Sequence, residues 1–183
     1  MKTFIIIAAV VGSLLVGVTG AQAFTPPTSE TIATLVSAPS GIAPLIKDAT
    51  PQQAADVLLK GIEAIDAAKL SDEQKKQLIA RLVAYAVAQM GKNAPDMMAL
   101  VVRSVSVRNL QLVVASAMVA APDYMNAMQK AILDALGADT EKGRLAAAAV
   151  KNPHAVLGDI IYQIIKDIAA RRGISSPPSP YNQ

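Results

Sequence analysis

The chain has 183 residues, with 17 Lys and Arg against 14 Asp and Glu, and contains neither Cys nor Trp. The lack of cysteine excludes disulfides and thiolate metal sites, and a net charge of +3 with interspersed signs is too weak for nucleic-acid binding. Because only 3% of the residues are aromatic, the core must consist of Leu, Ile, Val, Met and Ala, which favours packed α-helices.

Residues 1–23 have the layout of a cleavable secretory signal peptide. Lys2 gives a positive start, an apolar run extends from Phe4 to Val18, and Ala21 and Ala23 are small residues where signal peptidase requires them. The run is shorter than the roughly 20 residues of a membrane anchor. The chain has no cysteine for lipid attachment. We therefore predict cleavage after Ala23 and export to the periplasm or the extracellular space, in a bacterial context, with no integral membrane segment in the mature chain.

The first part of the mature chain is rich in residues that oppose helix formation. Two prolines at 26 and 27 predict a flexible N-terminus over residues 24–28. A short helix is predicted from Ser29 to Ser37, with Thr28 or Ser29 as its cap. Pro39, Gly41 and Pro44 then predict a turn followed by at most a short helical piece.

Two segments carry the residues of a capping box, in which a hydroxyl side chain and a glutamine three positions later satisfy the first N–H groups of a helix. The first runs from Thr50 to Gln53 and includes a proline suited to the first helical position. The second runs from Ser71 to Gln74. We predict that helices begin there and end at about Ala68 and near Gly91.

Three later segments share one pattern, an Ala-rich helix followed by a proline and a further helix. The prolines are Pro95, Pro122 and Pro153. Their spacing lies in the range of helical-hairpin repeats but is irregular, which indicates a degenerate repeat; proline also favours helix starts in any helical protein. The helix from Arg108 to Ala120 is apolar on nearly all sides, which predicts a central position.

The last helix is predicted to run without interruption from Pro153 to Arg172 and to end at Gly173. Its apolar residues are opposed by a polar face made of Asp159, Gln163, Lys166 and Asp167. Residues 174–183 are predicted to be a disordered tail rich in proline and serine, either a solvated end or a ligand for an aromatic groove. Together these elements predict one all-α domain at 29–173, an irregular bundle of antiparallel helical hairpins with about six to eight helices.

The sequence offers no recognisable active site. His154 is the only histidine and has no cysteine or second histidine as a partner, so surface or cap-proximal packing is favoured over catalysis or metal binding. The acids Asp72-Glu73 and Asp139-Glu141 suit the first turns of helices. A carboxylate pair assembled by the fold stays open, because such pairs leave no local signature. We predict no catalytic, cofactor-binding or metal-binding residues and no cofactor.

Methionines cluster in the middle third of the chain. Thioether side chains usually fill gaps in cores, but they can also line a groove for a partner helix or an apolar ligand. Copper binding would need denser spacing or histidine companions. Besides core packing, the candidate interpretation is a ligand or interaction groove that contains Met97, Met98, Met118, Met125 and Met128.

These features favour an exported, non-enzymatic structural or protein-interaction module with an unidentified protein partner. The alternative is a periplasmic carrier of a lipid or another apolar ligand, which requires a dry cavity between helices.

Overall fold

The computed structural model describes residues 24–171 and 173. The predicted signal peptide at 1–23, with Ala21 and Ala23, the predicted helix end at Arg172 and the predicted tail at 174–183 lie outside the described residues. Within the described part all regular structure is helical, which confirms the all-α fold. None of the described helices is both long and apolar enough to cross a membrane.

Seven helices of eleven or more residues form the body of the described chain. They are α3 (Pro51–Ala67), α4 (Asp72–Met90), α5 (Ala94–Ser104), α6 (Val107–Ala120), α7 (Met125–Leu136), α8 (Glu141–Lys151) and α10 (Ile160–Arg171). Shorter helices are α1 (Ser29–Thr34), α2 (Ile42–Leu45) and α9 (Pro153–Leu157), and single 3-10 turns occupy Pro39–Gly41, Gly91–Asn93 and Pro122–Tyr124. Helix α1 is thus shorter than predicted.

The starts of α3 and α4 are fixed locally by the two predicted capping boxes. The Gln53 N–H donates to Thr50 Oγ1 at 3.3 Å, and the Thr50 N–H donates to Gln53 Oε1 at 2.9 Å. The same exchange joins Ser71 and Gln74 at 3.2 and 3.0 Å. Removing such a cap costs about 1 kcal/mol, so these residues set where both helices begin before any long-range packing acts.

Each of the helices α1 to α8 packs most extensively on a helix two positions away along the chain. Helices α3, α5 and α7 form one row, and α4, α6 and α8 form a second. Helices α1 and α2 pack on α3 and α4, while α9 packs on α6 and α10 packs on both α4 and α6. This alternation is typical of stacked helical hairpins and agrees with the degenerate repeat read from the sequence.

Helix α6 lies at the centre, as its apolar surface predicts. It packs against α4, α5, α7, α8, α9 and α10. Leu110, Val113, Val114 and Ala117 have no exposed surface. The hydroxyl of the buried Ser116 is satisfied within the helix, donating to the Leu112 carbonyl at 2.7 Å. Full burial of a leucine or valine side chain stabilises by about 1.5–3 kcal/mol, so α6 anchors the fold.

The prediction of one continuous helix from Pro153 to Arg172 is wrong. Gly158 has φ +50°, which ends α9, and its N–H donates to the His154 carbonyl at 2.9 Å. Glycine adopts this conformation without the steric cost that a side chain brings. The predicted division of faces also changes, because the side chain of Asp167 is only 15% exposed whereas Ile165 is 38% exposed.

Candidate functional site

A cleft of about 700 Å³ lies between α4 and the α9–α10 segment, and we call it the α4–α10 cleft. One wall is formed by α4 through Glu73, Lys76, Gln77 and Arg81. The other wall is formed by residues 155–160 and by Gln163 of α10. Most of its polar side chains therefore come from one long helix, and the facing wall is largely a turn.

The α4 wall follows from helical periodicity. Positions 73, 76, 77 and 81 are three, four and eight residues apart, so their side chains share one face of the helix. At a rise of 1.5 Å per residue, Glu73 and Arg81 are separated by about 12 Å along the axis. Since the capping box at Ser71 sets the start of α4, it also sets the register of this wall.

An ion pair joins Arg81, at one end of the α4 wall, to Asp167 of α10. Arg81 Nε donates to Asp167 Oδ2 at 2.7 Å, and Gln163 Nε2 donates to Asp167 Oδ1 at 3.1 Å. The side chains of Arg81 and Asp167 are 32% and 15% exposed. Asp167 is thus bonded through both carboxylate oxygens, which fixes the orientation of the guanidinium at the edge of the cleft.

Tyr85 lies one turn beyond Arg81 and is nearly buried. Burial raises the pKa of the Tyr85 phenol, and the negative charge of Asp167 adds to this rise against the opposing effect of the hydrogen bond with Arg81. Burial acts to lower the pKa of Arg81, but the hydrogen bonds with Asp167 and Tyr85 and the attraction of the carboxylate outweigh it, so the pKa is raised. The Arg81 cation is therefore retained at every ordinary pH.

A second, smaller cleft of about 190 Å³ lies beside the start of α6, and we call it the α4–α6 cleft. Hydrogen bonds connect residues of this cleft to Asp66, near the end of α3. Lys75 Nζ donates to the Asp66 carbonyl, and the buried Asn109 donates through Nδ2 to Asp66 Oδ2, both at 2.6 Å. The two clefts share Lys76 and Val156 in their linings. The two clefts therefore adjoin at Lys76 of α4 and Val156 of α9.

The rim of the α4–α6 cleft carries an exposed ion pair. Arg108 Nη2 donates to Asp72 Oδ1 at 2.7 Å, and both side chains are largely in solvent. Asp72 and Glu73 lie in the first turn of α4 and Glu141 in that of α8, as predicted for acids that complement helix dipoles. Asp139 precedes α8.

The structure places four of the five methionines of the candidate groove in the core. Met97, Met98 and Met128 have no exposed surface, Met118 is 1% exposed, and all four belong to the core cluster. Met125 is 42% exposed. Neither cleft has a methionine in its lining. The placement favours the core-filling interpretation for four of the five, because a thioether adapts its shape to irregular gaps.

The lone histidine lies outside both clefts. His154 is exposed in the first turn of α9, where Asn152 caps the helix by accepting from the Ala155 N–H at 3.2 Å. No group of three or more His, Cys, Asp or Glu that could hold a metal ion occurs within the described residues. The cleft side chains are suited to hydrogen bonding and ion pairing with a polar molecule.

Sequence reasoning missed Arg81 and Asp167, which are 86 positions apart. The sequence pattern places Asp167 on the polar face of the last helix. A usable signal was present in α4, where Arg81 interrupts the apolar stretch from Leu78 to Val87. A charge in such a stretch needs a partner when the helix is packed. Asp167 and Gln163, one turn apart on the last helix, could supply it.

Comparison of the chain with protein-family models, with curated proteins and with solved structures finds no match.

Proposed function

We propose that this protein is an exported, non-enzymatic interaction module that docks a polar segment of a partner protein in the α4–α10 cleft. The observation that carries the proposal is the cleft itself, about 700 Å³ and lined by acidic, basic and amide side chains. Stacked helical hairpins commonly present extended binding surfaces. The fixed guanidinium of Arg81 gives this surface a preorganised hydrogen-bonding group.

A polar docking site is favoured over an apolar one by the distribution of exposed side chains. In the described part of the chain the exposed large hydrophobic residues are Val107, Met125 and Ile165. They belong to three different helices, α6, α7 and α10. Contiguous apolar patches are the usual mark of a hydrophobic interface, so this scattered set supports contact through the cleft instead.

The carrier hypothesis receives less support from the same observations. A carrier of a lipid needs a dry cavity lined by apolar side chains. Met97, Met98, Met118 and Met128, which were candidates for such a lining, are packed in the core.

Export rests on the residues at 1–23 and has a direct test. Intact mass and N-terminal sequencing of the protein recovered from the periplasm or medium should give a mature chain that begins at Phe24, directly after Ala23. Recovery of the uncleaved chain from the cytoplasm alone would overturn this part of the proposal.

Docking in the cleft can be tested by site-specific photo-crosslinking in cells that produce the protein. A photoreactive amino acid replaces Gln77, which is exposed in the cleft wall. The matched control replaces Lys60, an exposed residue of α3 outside both clefts. We expect a discrete protein adduct from position 77 and none from position 60. Equal adducts from both positions, or none from either, would overturn the proposal.

A further inference from the structure

We propose that the α4–α10 cleft binds an extended peptide that carries both charges, with a basic side chain against Glu73 and an acidic side chain against Lys76. This inference rests on the proposed interaction function and specifies the chemistry of the segment that is bound. Its basis is the order of groups along the α4 wall, together with the length of that wall.

The two charges that select the peptide lie one helical turn apart. Glu73 and Lys76 are both exposed, and neither takes part in the ion pairs Arg81–Asp167, Arg108–Asp72 and Lys130–Asp134 of the described chain. Lys76 also lines the α4–α6 cleft and so stands where the two clefts meet. A ligand with a single sign of charge would be attracted by one of these groups and repelled by the other.

The wall has the length of a short extended segment. Glu73 and Arg81 are about 12 Å apart along the helix axis, and an extended chain advances about 3.3 Å per residue. The wall therefore spans roughly four peptide residues. Alternate side chains of an extended peptide point to the same side, so a basic and an acidic residue two positions apart can both face α4.

Apart from Asp159, which adds an acidic group on the facing wall, the remaining polar groups of the cleft match a peptide backbone. Gln77 and Gln163 lie on opposite walls, and each amide side chain has a donor and an acceptor. Arg81, fixed by Asp167 through Nε, carries further N–H donors suited to a carbonyl or carboxylate oxygen. The cleft lining contains no aromatic side chain. A sugar ring or a nucleobase would usually need one for stacking, which favours a peptide.

The test uses synthetic hexapeptides with blocked ends, titrated into the ¹⁵N-labelled mature protein and followed by NMR. The first peptide has a lysine and a glutamate two positions apart, and the second has alanine at both positions. We expect chemical-shift changes in α4 and in residues 155–160, with affinity about 3- to 10-fold higher for the charged peptide, as two solvent-exposed ion pairs provide.

Charge reversal supplies the matched variants. Lys76→Glu should weaken binding of the charged peptide by about 3-fold or more, and a peptide with two lysines should bind Lys76→Glu better than it binds the wild type. Lys60→Glu makes the same change outside the clefts and should leave both affinities unchanged. Circular dichroism checks that each variant is folded.

The possible failures are distinguishable. If all hexapeptides bind in the cleft with equal affinity, the charge-selective inference is overturned and cleft docking stands. If peptides cause shifts only elsewhere or none at all, while position 77 still crosslinks to a protein, the occupant is not an extended peptide. If crosslinking at position 77 also fails, both the inference and the proposed function are overturned.

Discussion

The central helices α4 and α6 are covered by two regions that use different chemistry. The row α3, α5 and α7 covers them with fully buried apolar side chains such as Met98 and Val101. The α9–α10 segment contributes Ile164 and a few neighbours, and adds the polar pair between Asp167 and Arg81. The first region provides stability, whereas the second combines attachment with a polar wall for the cleft. Four experiments address this division.

The largest effect is expected in the apolar row. Met98→Ala should lower the free energy of unfolding by about 2–5 kcal/mol, because the side chain has no exposed surface and leaves a cavity. Urea denaturation measures this change, and Met125→Ala, at a position 42% exposed, should stay within about 0.5 kcal/mol of wild type. Ile164→Ala in α10 is equally buried but should cost less, since a terminal segment can open locally. Equal losses for the two buried positions would remove the distinction between the regions.

The next effect on stability is expected for the ion pair that attaches α10 to α4. Asp167→Asn removes the carboxylate that Arg81 contacts and should destabilise by about 1–2 kcal/mol, between the values typical of exposed and of buried ion pairs. The matched control is Asp134→Asn, which breaks the exposed Lys130–Asp134 pair within α7 and should change stability by at most about 0.5 kcal/mol. Identical denaturation midpoints for the two variants would show that the α4–α10 pair is no stronger than a surface pair.

Two glycines permit a comparison at nearly the same backbone geometry. Gly158 and Gly91 have φ +50° and +52°, and an added Cβ would meet no atom within 4 Å at either. With ψ −130° at Gly158 and −120° at Gly91, both lie outside the left-handed helical region, so alanine should cost about 1–3 kcal/mol at each site through conformation alone. We expect Gly91→Ala to lower global stability, and Gly158→Ala to increase hydrogen exchange in α10 with a smaller global effect. Unchanged exchange in α10 would contradict an independently opening segment.

The smallest effect concerns alkaline pH. The pKa of Tyr85 is raised by burial, so above the ordinary value of 10.0 the unfolded chain loses this proton before the folded one. Stability from Tyr85 is therefore fully present below about pH 10 and declines as the pH rises further. The unfolding free energy of the wild type should fall more steeply above pH 10 than that of Tyr85→Phe, by at most about 1.4 kcal/mol per pH unit. Parallel pH profiles would show that Tyr85 ionises alike in both states.

The predictable parts of the fold are those determined by residues that are close together in the sequence. The boxes at Thr50 and Ser71 fixed two helix starts, and the apolar surface of 108–120 placed α6 at the centre. The break at Gly158 was missed because the apolar pattern continues across it, and periodicity alone cannot show that a glycine has adopted positive φ.

The candidate site was less predictable than the fold. The α4 wall can be predicted because its residues are spaced to share one face of a helix. The other wall cannot, because it depends on how α9 and α10 pack against α4. The pair Arg81–Asp167 has no local signature, since a position on a polar helix face indicates solvent unless the packing partner is known. The methionines are conspicuous in the sequence because they cluster in the middle third of the chain. The residues that line the clefts belong to types that are common on any protein surface, so the sequence does not single them out.

The separation of 86 positions between Arg81 and Asp167 also has a kinetic consequence. Stacked hairpins form from contacts between segments close in sequence, and such topologies have low contact order and fold within microseconds to milliseconds. Closing a long loop to bring α10 onto α4 carries a larger entropic cost than forming any one hairpin. We therefore expect docking of α10 to come after the transition state, so that Asp167→Asn accelerates unfolding and leaves the refolding rate nearly unchanged.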